Sequence, residues 1–197
     1  MSVINSTAQE TKRYIEPLRP VIELAREGDE KAMHQLYGKY AKAMLNTAYR
    51  ILNNAEDAED VLQESFINVF TRLHQYKYQS SFGAWVKRIV VNRSIDALKK
   101  KQRTLVLSQN EGKEPEVVFE TGKENNLEVK DKLDLLYKAL HALPDGYRTV
   151  FSLYMLEGYD HTEIAKILNI GVSTSISQLS RAKQKIKILT TKFQHHG

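Results

Sequence analysis

The strongest constraint on this chain is the placement of its helix breakers. The prolines are Pro17, Pro20, Pro115 and Pro144, and only nine glycines are spread over 197 residues. Proline removes a backbone donor and clashes with the preceding turn, and glycine weakens a helix interior, so both punctuate helical sequence. Between the breakers, apolar residues recur at helical spacing. Met33, Leu36, Tyr37, Tyr40, Met44, Leu45, Ala48 and Leu52 share one face. Val61, Leu62, Ser65, Phe66, Val69 and Phe70 form a second stripe, after "NNAEDAED", whose acids suit the positive end of a helix dipole. Leu133, Leu136, Leu140 and Leu143 form a third. This period predicts an all-α protein.

The pattern lapses once, and the lapse divides the chain into two small helical domains. Residues 1–20 read as an N-terminal extension. Residues 21–103 predict four or five helices; the first holds Val21, Leu24 and Ala25 and breaks at Gly28-Asp29. The last runs from Phe82 to Arg103, after the polar and aromatic loop "HQYKYQSS". Residues 104–126 predict a linker, with Glu111, Glu114, Glu116, Glu120 and Glu124 against only Lys113 and Lys123. Within it "VLS" and "EVVFE" are candidate short extended pieces. Helices resume over residues 127–190, and residues 191–197, with His195 and His196, form a tail.

The C-terminal half carries signals for a helix-turn-helix. Pro144 is placed to open a helix and Gly158 to close it. Asp160 and Glu163 have capping-box spacing on "HTEIAKIL". Asn169 tolerates the left-handed backbone of a tight turn, Ala165 is small where helices meet, and Ser173 or Thr174 can cap the last helix. On that helix Ser175, Leu179, Ala182 and Ile186 make a packing seam. Thr174, Ser177, Gln178, Arg181 and Lys185 are then exposed, with Ile176 at the edge. The alternative is an ordinary helical hairpin within a bundle.

From Val172 to Ser180 this helix has no charged side chain. Hydroxyls and amides can read base edges, glutamine suits adenine, and an aliphatic group packs on a thymine methyl. Phosphate contact is left to Arg181, Lys183, Lys185 and Lys187. Such a helix binds weakly alone and needs a second anchor. "SSFGAWVKRIVVNRSIDALKKKQR" supplies one, with Lys87, Arg88, Arg93, Lys99, Lys100, Lys101 and Arg103 downstream of Tyr76, Tyr78, Phe82 and Trp85. Cations follow a phosphate backbone while aromatic faces stack unpaired bases. The bland alternative is a solvated basic face with Phe82 and Trp85 in the core.

The remaining features narrow the function classes. A net charge of +5 permits a polyanionic partner without requiring one. The absence of cysteine removes disulfide frameworks and thiolate metal sites and fits a reducing cytoplasm. No apolar run spans a membrane, and "MSVINSTAQETKRY" lacks a signal-peptide pattern. There is no HExxH, glycine-rich phosphate loop or cysteine nucleophile, so neither an enzyme nor a small-molecule substrate, cofactor or metal is expected. Glu56, Asp57, Glu59, Asp60 and Glu64 read as surface acids at a helix start. Asp60, Gln63 and Glu64 could face a basic protein partner.

Three ordered blocks, "DAEDVLQESFINVF", "FGAWVKRIVVNRSIDALKKKQR" and "LPDGYRTVFSLYMLEGYDHTEIAKILNIGVSTSISQLSRAKQKI", resemble a bacterial sigma-70-family factor of the extracytoplasmic-function group. The likeness runs from Val21 to Leu189. "STSISQLSRAK" resembles members from Bacteroidota. The resemblance implies a non-catalytic subunit that binds core RNA polymerase, recognises minus-35 and minus-10 promoter DNA and promotes its opening. Asp60, Gln63, Glu64 and Phe66 would dock on the polymerase clamp helices. The loop from Tyr78 to Phe82, with Trp85, Lys87, Arg88 and Asn92, would hold the opened minus-10 strand. Lys99, Lys100, Lys101 and Arg103 would face duplex DNA. The helix from Ser173 to Lys187 would enter the minus-35 major groove, and the linker would lie in the RNA exit region. An anti-sigma factor, often membrane-bound, is the further partner implied. Many relatives have a basic residue at the place of Ile176 and another at that of Gln178, Val at Ser175 and Gly at Asn169. A stand-alone helix-turn-helix regulator is the competing class; it would bind its operator tightly without polymerase.

Overall fold

The computed structural model describes residues 15–107 and 127–194, and every described element is helical. The N-terminal unit contains α1 (Arg19–Arg26), α2 (Glu30–Leu52), α3 (Ala55–Thr71) and α4 (Phe82–Leu107), with a 3₁₀ turn at Leu73–Gln75. The C-terminal unit contains α5 (Leu127–His141), α6 (Asp145–Phe151), α7 (His161–Leu168) and α8 (Val172–Gln194). A single π turn, Ser152–Leu156, extends α6.

Local chemistry sets the junctions of the first unit. The Asp29 carboxylate accepts from the Ala32 amide at 2.7 Å and starts α2. Asn53 takes the left-handed conformation, φ 54°, and ends it. Asn54 then accepts from the Asp57 amide at 2.9 Å to start α3. The apolar stripes of α2 and α3 close on Val86, Val90, Val91 and Ile95 of α4, all buried. In the second unit Leu140, Leu143, Val150, Leu153 and Ile164 are buried with the α8 seam of Ser175, Leu179, Ala182 and Ile186.

The two units are docked. Arg148 of α6, fully buried, reaches across to the end of α2. Its guanidinium donates to the carbonyls of Arg50 (3.2 Å), Ile51 (3.3 Å) and Leu143 (2.9 Å), and to Asp145 at 2.6 Å. The two α2 carbonyls lie in its last turn, where no helical donor remains, so the arginine supplies what the helix lacks. Beside it, Asn53 donates to the His141 carbonyl at 3.2 Å.

Several boundaries differ from the sequence expectation. The first helix starts at Arg19 rather than Val21, because Pro20 fits a first turn. Pro144 precedes α6 as its cap instead of opening it. α8 starts at Val172, so Ser173 and Thr174 lie inside the first turn rather than capping it. α4 continues past Arg103 to Leu107, so Val106 and Leu107 of "VLS" are helical, the basic helix being free to run on until its pattern fails. Ser108, "EVVFE", His195 and His196 lie outside the described residues.

Candidate polymerase and nucleic-acid interfaces

The start of α4 is built by residues far from it in sequence. The Glu16 carboxylate is buried and accepts from the Phe82 amide at 2.8 Å and the Leu18 amide at 3.1 Å. The Tyr76 hydroxyl sits 3.2 Å from this carboxylate and 2.7 Å from the Ser80 carbonyl. A carboxylate at a helix N-terminus satisfies an orphan amide and suits the dipole. Tyr78 adopts φ 57°, and its hydroxyl donates to Glu23 at 2.7 Å beneath the guanidinium of Arg19. Burial, then that hydrogen bond, raises the Tyr78 phenol above its ordinary pKa.

Phe82 is a core residue, edge-on to Tyr40 and Tyr76. Trp85 is half-buried, its ring packed on both Tyr76 and Phe82. A side chain at Gly83 would meet the Tyr40 ring at 2.8 Å, so glycine there lets α2 and α4 cross closely.

The expected nucleic-acid residues of α4 divide between two faces. At about 100° per residue, Trp85, Arg88, Asn92, Lys99, Lys100 and Arg103 fall on one outward side. All are exposed except Trp85 and Lys99, which are half-buried. Lys87 and Lys101 lie on the other side. Lys87 donates to the Glu157 carbonyl at 3.0 Å, and Lys101 pairs with Asp57 of α3 at 2.6 Å. In this conformation neither belongs to the outward face: each stands two residues from Trp85, Lys99 or Arg103, a turn of about 200° around the helix.

On α3, Asp60, Gln63 and Glu64 are exposed on one face, and Glu64 pairs with Arg93 at 2.9 Å. Phe66 is not on that face. It is buried behind that face, against Tyr37 and Phe70. Ile67, 65% exposed, takes its place at the i+4 and i+3 positions from Gln63 and Glu64. The helical spacing alone places Ile67 there, outside the apolar stripe that holds Phe66.

The helix-turn-helix geometry is present. The Asp160 side chain accepts from the Glu163 amide at 2.8 Å and the Glu163 side chain from the Asp160 amide at 2.9 Å. Asn169 ends α7 with φ 57°. Ser175 is fully buried, and its hydroxyl lies 2.9 Å from His161 Nδ1, which makes a hydroxyl fit a seam position. Thr174, Ile176, Ser177, Arg181 and Lys185 are exposed. Gln178 is instead half-buried: its amide lies against Gly146 of α6, where an added Cβ would be 3.5 Å from Nε2. The centre of the solvent face is shared by Ser173 and Gln184, which the sequence pattern did not single out, with Ser177 and Arg181.

Comparison with known proteins fits this arrangement. The sigma-70 region 2 pattern matches residues 36–104 and the sigma-70, region 4 pattern residues 133–186. The ECF RNA polymerase sigma-E factor of Escherichia coli K12 is 30% identical over 174 residues, covering 84% of this chain and 90% of the relative. The ECF RNA polymerase sigma factor SigW of Bacillus subtilis is 27% identical over 173 residues, covering 84% and 92%. The fold resembles the sigma factor RpoE of Bartonella quintana, solved in complex with the anti-sigma factor NepR. There the TM-score is 0.60 and the identity 20%, over 82% of this chain and 98% of that one. It also resembles CnrH, solved with the cytosolic domain of CnrY, at TM-score 0.52 and 21% identity over 88% and 97%.

The chain belongs to the sigma-70 family, in its extracytoplasmic-function group. It is an alternative sigma factor, a transcription initiation factor that directs promoter recognition by RNA polymerase and is not an enzyme.

Proposed function

We propose that each sigma activity resides on a separate exposed face. The α3 face of Asp60, Gln63 and Glu64, with Ile67, docks on core RNA polymerase. Trp85, Arg88 and Asn92 hold the opened minus-10 strand, and Lys99, Lys100 and Arg103 follow the adjoining duplex. The α8 face of Thr174, Ile176, Ser177, Arg181 and Lys185 enters the minus-35 groove. The observation that carries this reading is the outward side of α4, where a half-buried tryptophan at one end is continued by cations along the same side.

Of the structural relatives, RpoE was solved with the anti-sigma factor NepR and CnrH with the cytosolic domain of CnrY. A partner of that kind, covering the α3 and α4 faces, is proposed for this chain as well. The cytoplasm, where polymerase and promoter meet, is the proposed compartment; among the described residues no helix is long and apolar enough to cross a membrane.

The test uses holoenzyme on a matched pair of templates, one fully duplex and one with a pre-opened minus-10 region. Trp85→Ala should lower run-off from the duplex by about tenfold or more, since base stacking is worth about 1–3 kcal/mol. It should lose less on the pre-opened template. Equal loss on both would remove Trp85 from strand opening.

A further inference from the structure

The face of α2 turned toward the C-terminal unit contains a cationic slot that one side chain fills. Glu157, at the end of the π turn after α6, inserts its carboxylate between α2 and α4 and is 5% exposed there. Its Oε1 accepts from the Arg50 guanidinium at 2.5 Å and lies 3.0 Å from the Thr47 hydroxyl. Lys87 Nζ lies 3.5 Å from the other carboxylate oxygen and donates to the Glu157 carbonyl at 3.0 Å. Around this contact is a cavity of about 510 Å³, lined among others by Tyr40, Asn46, Ser81 and Ala84. Arg50 Nε is buried there without a hydrogen-bond partner among the described residues.

This slot is not an ordinary surface ion pair. The Arg50 side chain is only 15% exposed and Thr47 is fully buried. If Glu157 leaves, Arg50 and Lys87 lose the carboxylate they share, and another anion can take its place. An arginine fork with an idle Nε–H, a hydroxyl and a lysine is a donor set suited to a phosphate oxygen triad. The slot also opens at Ser81, just before α4, and at Gly83 and Ala84 in its first turn, where Ala84 lies one turn from Arg88 on the same face.

We infer that Arg50, Thr47 and Lys87 form a binding site for a backbone phosphate of the opened promoter strand, and that Glu157 occupies it as an internal substitute while the two units are docked. One slot holds one anion. Strand binding at α4 and docking of the C-terminal unit therefore oppose each other, and by linkage each weakens the other by the same factor. The inference rests on the reading of Trp85 and Arg88 as strand contacts.

Two substitutions in the full chain separate the possibilities, because both break the same ion pair and only one keeps the proposed phosphate ligand. Glu157→Gln and Arg50→Gln are compared by small-angle scattering and by anisotropy of a fluorescent, mixed-sequence DNA single strand. Both variants should expand the chain. Glu157→Gln should bind the strand about tenfold more tightly, as a released latch would. Arg50→Gln should show no gain, and its salt dependence should be shallower by about one phosphate contact. An equal gain in both variants would mean that Glu157 merely blocks access and Arg50 holds no phosphate. Unchanged scattering in both would overturn the latch. Adding Trp85→Ala or Arg88→Ala to Glu157→Gln tests the underlying reading separately. If neither weakens strand binding, the strand face is misassigned, whatever scattering shows.

Discussion

Ile176 shows how a single side chain can carry specificity in a weakly charged reading helix. It is 52% exposed, and no charged residue lies between Val172 and Ser180. An aliphatic group there has no phosphate to seek and a thymine methyl or sugar edge to pack on. Ile176→Lys should therefore change which promoter sequences are selected from a randomised minus-35 pool. A uniform rise in affinity with the preference unchanged would mean that Ile176 reads nothing. The residue scale is also where the sequence was least legible. Phe66, whose docking role came from the resemblance and not from its place in the apolar stripe, completes the α2–α3 core, and Gln178, at a surface position by spacing, meets Gly146. Glu16 was silent because its partners, Tyr76 and Phe82, lie about sixty residues away.

The helices themselves were legible, because their boundaries are set by local chemistry. Asp29, Asn54 and Asp160 are caps whose acceptors and donors lie within three residues. The Asp160–Glu163 pair holds the start of α7, which in turn positions α8. Asp160→Ala should lower thermal stability by about 1 kcal/mol and weaken minus-35 binding, while leaving association with core polymerase intact. Loss of polymerase binding to the same extent would place α7 in a different role. The starts that moved, at Arg19 and Val172, did so where no capping side chain marks them: Leu18 makes no cap hydrogen bond, and Gly171 has no side chain.

At the scale of the whole molecule, the docking of the two units was not legible, because its contacts join residues about a hundred positions apart. Arg148, Glu157 and His141 each read as unremarkable members of amphipathic helices. His141 gives docking a pH signature. It hydrogen-bonds Asn53 through Nδ1 and packs on Tyr49. Burial foremost, then the charges of Arg148 and Arg50, lower its pKa from 6.5 to about 4. Between those values the unfolded or undocked chain takes up a proton that the docked state refuses. Docking stability should thus be complete above about pH 6.5 and fall as the pH drops toward 4. Thermal melts or scattering across that window should show it, and His141→Gln should flatten the dependence. An unchanged slope in the variant would assign the acid sensitivity elsewhere.

Tethering by polymerase explains how a chain can carry a reading helix with so few cations. Polymerase holds both units near their promoter elements, and each weak contact gains from the others through effective concentration. The α3 face is the hinge of that account. The most direct test is co-purification with bacterial core RNA polymerase followed by run-off transcription on a genomic promoter pool, with and without Asp60→Ala, Gln63→Ala and Glu64→Ala combined. The wild-type chain should associate stably and create new start sites, and the triple variant should lose both together while its folded helical content persists. Full association and transcription by the triple variant would contradict the assignment of that face, and specific duplex binding without any polymerase association would contradict the account as a whole.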